Sequence, residues 1–97
     1  MKTLQFKIQL KDIQNPPVWR RVLVPEEIVF DEFHLVIQAV FGWEDYHLYQ
    51  FSPKGWGSQP LIKLPDPEDA GYETEDSSII KLSAIFTAAG QTYTYYL

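Results

Sequence analysis

The stretch "TLQFKIQLKDIQNPPVWRRVLV" (residues 3–24) decides how the fold begins. Apolar and polar side chains alternate over residues 3–11, a pattern typical of a strand with one buried face. The prolines of "NPP" (residues 15–17) end this strand, because proline lacks the amide hydrogen of a sheet ladder and restricts the residue before it. Residues 18–24 are rich in β-branched side chains and predict a second strand. A connection this short predicts an antiparallel hairpin.

The next segment, "FDEFHLVIQAVFG" (residues 30–42), predicts the main helix. Asp31 is expected to be the N-cap, because its carboxylate can accept from the free amides of the first turn. Phe30 and Leu35 are expected to form a hydrophobic staple. Gly42 suits the left-handed end of the helix, and His34 is expected on the polar side. Five residues form the apolar stripe: Phe33, Val36, Ile37, Val40 and Phe41.

The second half of the chain contains shorter signals. Residues 46–51 predict a third strand, and "PLIKL" (residues 60–64) predicts a short fourth one. Residues 65–78 are acidic and rich in turn-forming residues, so we predict a solvated, mobile loop. Ser83 is expected to cap a short helix that Gly90 ends, and "QTYTYYL" (residues 91–97) predicts a final strand.

This order of elements predicts an α+β fold in a single domain spanning residues 1–97. It starts β-β-α-β, and the hairpin favours a mainly antiparallel sheet. One main helix and one short helix are expected to pack on one face of that sheet.

The composition excludes several functions. A chain of 97 residues fits one domain, and its net charge of −5 argues against general binding to nucleic acid or anionic membranes. The absence of cysteine excludes disulfides, thiol catalysis and thiolate metal sites. The N-terminus lacks the apolar run of a signal peptide, and no segment approaches the length of a membrane span. A cytoplasmic location is therefore predicted.

Several motifs together resemble the plasmid pRiA4b ORF-3-like family. The matching positions lie in "PPVWRR" (residues 16–21) and in "GWEDYHLYQF" (residues 42–51), namely Gly42, Trp43, His47, Leu48 and Phe51. Residues 79–97 are similar to the next helix and strand of the family. The family pattern continues into a Tyr-Asp-Phe-Gly-Asp-x-Trp-x-His segment that this sequence lacks, and Tyr49 stands where a second histidine is common. The resemblance implies the fold and no particular activity.

Residues 42–51 have two interpretations. Their aromatic side chains either cover the end of the helix as part of the core or line a binding pocket with the nearby acids and histidine. The candidate binding surface consists of six residues: Trp19, Arg20, Arg21, Trp43, His47 and Tyr49. Arg20 and Arg21 are neighbours on a strand and should therefore face opposite ways.

No catalytic residue, cofactor or metal site is predicted. The two histidines, His34 and His47, lie on a helix and a strand with no local feature that brings them together, whereas a metal site needs converging ligands. Paired carboxylates are abundant only in the acidic loop, which is a poor setting for preorganised acid–base catalysis.

Three functional hypotheses remain. The first is a non-catalytic protein-interaction module that self-associates through residues 91–97, because an aromatic strand left at a sheet edge recruits partners. The alternative is a small-ligand-binding or enzymatic domain with its pocket around the helix and residues 42–51. The third, which only the family resemblance implies, is an accessory protein of mobile genetic elements that binds nucleic acid, and the acidic net charge argues against it.

Overall fold

The computed structural model describes residues 2–44, 48–69 and 73–97, and it confirms the α+β class. The elements in chain order are β1 (Thr3–Gln14), β2 (Pro17–Pro25), α1 (Phe30–Phe41), β3 (Gln50–Ser52), β4 (Ile62–Lys63), a 3₁₀ turn (Pro67–Asp69), β5 (Glu75–Asp76), α2 (Leu82–Ile85) and β6 (Thr94–Tyr96). No helix in these three ranges is long and apolar enough to cross a membrane.

The first two strands form the predicted antiparallel hairpin. Residues opposite each other in an antiparallel pair share a face, so the register assigns the two sides of the hairpin. Phe6 lies opposite Val22 on the side that packs against the core, and Gln9 lies opposite Trp19 on the outer side. The register shifts before the turn, where Asp12 has a φ of 63°, a left-handed conformation that aspartate tolerates better than most residues.

The remaining strands form a second sheet, in the order β5-β4-β3-β6. The pairings β3–β4 and β3–β6 are antiparallel, whereas β4–β5 is parallel. The described strands are thus mainly antiparallel, as predicted, but they are divided between two sheets instead of forming one. Among the described strands, the hairpin does not pair with the second sheet, and β1 and β6 both lie at sheet edges.

Strand β5 lies inside the acidic segment that the sequence predicts to be a loop. The Glu75 amide donates to the Leu61 carbonyl at 2.7 Å, and the Ser77 amide donates to the Lys63 carbonyl at 3.0 Å. Ser77 is fully buried. The end of the acidic segment is therefore held against β4, and the mobility of its remainder stays a prediction.

The start of α1 differs from the prediction. Asp31 is the second helical residue, and the N-cap position belongs to Val29. The amides of Phe30 and Asp31 donate to the main-chain carbonyls of Ile80 (3.0 Å) and Ser77 (2.9 Å). The prediction that Asp31 caps the helix was wrong, because the segment before α2 already satisfies these amides.

The end of α1 agrees with the sequence. Gly42 has a φ of 69°, and its amide donates to the Ala39 carbonyl at 3.2 Å. A left-handed residue after the last turn satisfies carbonyls that the helix itself leaves free.

Side-chain burial corrects two further expectations about α1. Leu35 is 51% exposed, so it does not form a staple with the fully buried Phe30. His34 is only 2% exposed, because the rings of Tyr49 and Tyr95 pack against it. The buried apolar core that α1 shares with both sheets consists of Val24, Phe30, Phe33, Ile37, Tyr49, Phe51, Ile62 and Leu82.

The second helix is shorter than predicted and starts two residues earlier. Ser83 lies inside it, the N-cap position belongs to Lys81, and Phe86 follows its last residue. The Ser83 amide donates to the Glu26 carbonyl at 3.0 Å, which ties the helix to the end of the hairpin. Ser83 is therefore not the cap, and Gly90 lies in the loop beyond the helix, with a φ of 89°.

Candidate functional site

The outer face of the hairpin carries part of the predicted binding surface. The Trp19 side chain is 39% exposed, with Lys7 Nζ 5.1 Å and Arg21 Cζ 5.4 Å from its ring centroid. Leu23, which is 67% exposed, lies on the same face. Two cations thus lie against one exposed aromatic ring, a favourable arrangement at a surface.

Arg20 points to the other side of the hairpin, as the strand alternation predicts. Its Cζ lies 5.3 Å from the ring centroid of Phe41, and that ring stacks on Trp43 at 4.7 Å. The fold therefore brings Arg20 and Trp43 together through Phe41, while Arg21 stays on the outer face. His47 lies outside the described residues.

Tyr49 is separate from the two aromatic groups just described, which are Trp19 on the outer face and the stacked rings of Phe41 and Trp43. It is 7% exposed, and its hydroxyl donates to Asp31 Oδ1 at 2.6 Å and lies 2.7 Å from Ser77 Oγ. These contacts join α1, the residue before β3 and the residue after β5. Of the two interpretations of residues 42–51, Tyr49 and Phe51 follow the core one, whereas Trp43 is 37% exposed.

A second set of buried polar groups lies next to Tyr49. His34 stacks on its ring, with 3.9 Å between centroids, and His34 Nδ1 lies 2.6 Å from the Tyr95 hydroxyl. Gln38 Nε2 donates to the same hydroxyl at 2.8 Å. No local pattern indicates Ser77 or Gln38 as partners, since their role depends on elements distant in the chain. These hydrogen bonds fix how α1 lies on β3 and β6.

The ionisation of Tyr49 is unfavourable in this setting. Burial, and next the hydrogen bond to Asp31, raise its pKa above the ordinary value of 10.0, and burial also raises the pKa of Tyr93. The folded protein therefore holds these protons more tightly than the unfolded chain. The stability that this provides is complete below pH 10 and is lost as the pH rises towards the folded-state pKa values.

We therefore expect the free energy of unfolding to fall above about pH 10, by at most about 1.4 kcal/mol per pH unit for each tyrosine. The Tyr49→Phe variant should show a shallower fall, because it lacks one of these groups. Urea unfolding at a series of pH values from neutral to alkaline measures both slopes. Equal slopes for the variant and the unmodified protein would contradict the assignment to Tyr49.

A small cavity of about 270 Å³ lies beside this buried polar network. Its lining residues include Asp31, His34, Tyr49, Lys63 and Asp66. No group of three or more histidines, cysteines or acids able to hold a metal ion occurs in the described part of the chain.

The larger cavity, of about 490 Å³, lies between β1 and the C-terminal strand, and we refer to it as the β1/β6 cleft. One side is formed by residues 6–11, and the opposite side by residues 91–97. The floor consists of apolar side chains: Phe33, Ile37, Phe41, Phe51 and Phe86. Trp43 also lines this cleft, whereas the other described residues of the predicted binding surface do not.

These features define a small α+β protein with two sheet edges facing one apolar cleft. The chain belongs to the plasmid pRiA4b ORF-3-like protein family, whose model matches residues 2–97. The resemblance inferred from the sequence motifs is thereby confirmed.

Two relatives illustrate the similarity. The chain is 32% identical over 92 residues to the uncharacterized protein y4hQ of Sinorhizobium fredii (strain NBRC 101917 / NGR234), a match that covers 95% of this chain and 45% of that protein. It is also similar to the crystal structure of MM3350, a protein of unknown function from Methanosarcina mazei Go1, with a TM-score of 0.75 and 32% identity. That match covers 98% of this chain and 52% of the other. The chain thus spans about half the length of these relatives.

Proposed function

We propose that the protein is a non-catalytic protein-interaction module that binds another polypeptide at the free edge of β6. The observation that carries this proposal is the position of β6 at the end of the sheet, where β3 is its one partner strand among the described residues. A free strand edge presents a row of main-chain donors and acceptors that an added strand can pair with.

The side chains near this edge suit an interface. Tyr95 points towards α1, as its contact with His34 indicates, and Tyr96 points to the opposite face, where it meets the exposed Trp56 at 5.3 Å between ring centroids. Leu97 is 53% exposed. Aromatic residues are enriched at protein interfaces because they bury large areas at a small cost in side-chain entropy.

When the protein is purified alone, we propose that its partner is a second copy of the same chain. Isologous contacts between identical surfaces are the commonest way in which soluble proteins self-associate. The segment that forms the contact is Gln91–Leu97, the region that the sequence predicts for self-association.

The test is a lysine substitution at this edge. Leu97→Lys should weaken the dimer by roughly tenfold or more, because it replaces an exposed apolar contact of the interface with a charged side chain that is costly to remove from water. Native mass spectrometry and sedimentation velocity at two or more concentrations measure the effect.

Leu35→Lys is the matched control, because it makes the same substitution at a residue of nearly equal exposure (51%) on α1. It should leave the dimer unchanged. An unmodified protein that remains monomeric at every concentration would contradict self-association, and equal effects of the two substitutions would contradict the assignment to residues 91–97.

The second candidate function is small-ligand binding, and the cavity of about 270 Å³ beside His34 and Tyr49 favours it. Native mass spectra of the same samples test this candidate, since a bound ligand would add a reproducible small mass. A monomer with such a mass would favour ligand binding over the interaction module.

A further inference from the structure

We propose that the β1/β6 cleft binds a single extended segment of a different polypeptide, apolar at alternate positions and acidic between them. This inference rests on the proposed function of the β6 edge. It specifies the chemistry of the partner that would bind there, with β1 as the second wall of the site. The bound segment would join the hairpin and the four-stranded sheet into one continuous sheet.

The lining of the cleft shows that strand edges form its two walls. Side chains alternate between the two faces of a strand, so a face contributes every second residue to a cavity. Here consecutive residues line the cleft on both sides, 6–11 on one wall and 91–97 on the other. Such runs are expected where a strand edge faces a cavity, and we infer that β1 and β6 (Thr94–Tyr96) present main-chain groups to the cleft.

Each of the two strands that line the cleft is already paired along its other edge. β1 pairs with β2, and β6 pairs with β3, while neither has a described partner strand on the side of the cleft. An extended segment between the two edges can form main-chain hydrogen bonds on both of its sides. A strand that pairs at a single edge gains one such ladder, so the two-walled site should bind a lone segment more tightly.

The floor of the cleft specifies alternate apolar residues. Phe41 of α1 and Phe86 after α2 are only partly buried, and they form the part of the floor that a bound strand would cover. Phe33 and Phe51 also line the cleft but are at most 4% exposed. Every second side chain of that strand would point to this floor, and the side chains between them would point to solvent. A segment of alternating pattern buries its apolar face without exposing apolar groups.

The charges along the cleft specify the side chains on the solvent side. Lys7 and Lys11 line it, and no acidic residue does so in the described part of the chain. Opposite charges on neighbouring strands stabilise a sheet, and like charges destabilise it. The residues of the occupant that face solvent are therefore expected to be acidic.

A lone segment and a second copy would compete for β6. The strand of a second copy enters with the rest of its sheet attached, whereas a lone segment can lie between β1 and β6 and use both walls. Binding of the segment should therefore convert the proposed dimer into a monomer.

The probe is a synthetic peptide with the sequence of residues 3–11, in which Lys7→Glu and Lys11→Glu supply the acidic positions. Residue-resolved amide hydrogen exchange, followed by NMR, measures protection along residues 6–11 and 91–97 of the protein. We expect protection to rise by about tenfold or more on both walls. In a Trp19→Phe/Trp56→Phe protein, the emission of Trp43, the tryptophan that lines the cleft, should change on binding.

Two control peptides test the charge pattern and the main-chain pairing separately. The peptide with its native lysines should bind several-fold more weakly, because its charges repel Lys7 and Lys11 of the protein. The acidic peptide with Ile8→Pro near its centre should give no protection, because the proline removes a main-chain donor and breaks the pairing.

Three results would overturn the inference. Protection of residues 91–97 alone would refute the two-walled site and leave the β6 edge of the proposed function intact. Protection of neither wall would refute the cleft as a peptide site, whatever the native mass spectra show about the dimer. Equal binding of the acidic and lysine peptides would refute the predicted charge pattern.

Discussion

Replacing Phe30 with alanine is expected to lower the free energy of unfolding by about 3–5 kcal/mol. Phe30 is fully buried at the first position of α1. Its ring lies 5.0 Å from that of Phe51, 5.9 Å from that of Phe86 and 6.5 Å from that of Tyr93, measured between centroids. The side chain therefore joins α1 to β3 and to the segment after α2, and its removal would leave a cavity that these rigid elements cannot close.

The expected loss is large for a domain of this size. Single domains are stable by roughly 5–15 kcal/mol, so Phe30→Ala should remove a considerable part of the total. Urea unfolding at neutral pH, followed by circular dichroism, measures the change. Leu35→Ala on the same helix is the control and should cost less than about 1 kcal/mol, because that side chain is half exposed. Similar losses for the two variants would contradict the burial that the structure assigns to them.

Replacing Tyr49 with phenylalanine is expected to lower the free energy of unfolding by about 1–3 kcal/mol, although it removes a single oxygen atom. The hydroxyl is the shared partner of Asp31 Oδ1 and Ser77 Oγ. Its loss leaves a partly buried carboxylate and a fully buried hydroxyl without this hydrogen bond. Leaving such groups unsatisfied costs more than an average hydrogen bond contributes.

Tyr93→Phe is the matched control for this prediction. The Tyr93 hydroxyl forms a longer, exposed hydrogen bond of 3.3 Å to the Pro60 carbonyl. Its removal should change the free energy of unfolding by less than about 0.5 kcal/mol in urea unfolding. A Tyr49→Phe variant as stable as the Tyr93→Phe variant would show that the link between Asp31 and Ser77 does not stabilise the fold.

The regular local patterns predicted much of the fold. The alternation over residues 3–11 and the following prolines predicted the hairpin, because a strand with one buried face needs a period of two. The apolar stripe and Gly42 predicted α1 and its end. Both signals come from residues close together in the chain, so no knowledge of distant partners was required.

The candidate site was less predictable. Trp43 was singled out from the sequence, and it does line the β1/β6 cleft. The cleft itself depends on the separation of the hairpin from the second sheet, which local patterns do not encode. Helical periodicity predicts His34 on the polar side of α1, because this local pattern contains no information about the distant tyrosines that cover the side chain.

The sequence by itself determined the α+β class, the first hairpin, the main helix and the final strand, because period, proline and glycine act locally. Only the tertiary structure decided which side chains share hydrogen bonds and which strand edges stay open. Asp31 shows the physical reason: either a cap or a tertiary hydrogen bond would satisfy its carboxylate. The distant carbonyls of Ser77 and Ile80 accept hydrogen bonds from the first helical amides, and the Tyr49 hydroxyl donates to the Asp31 carboxylate.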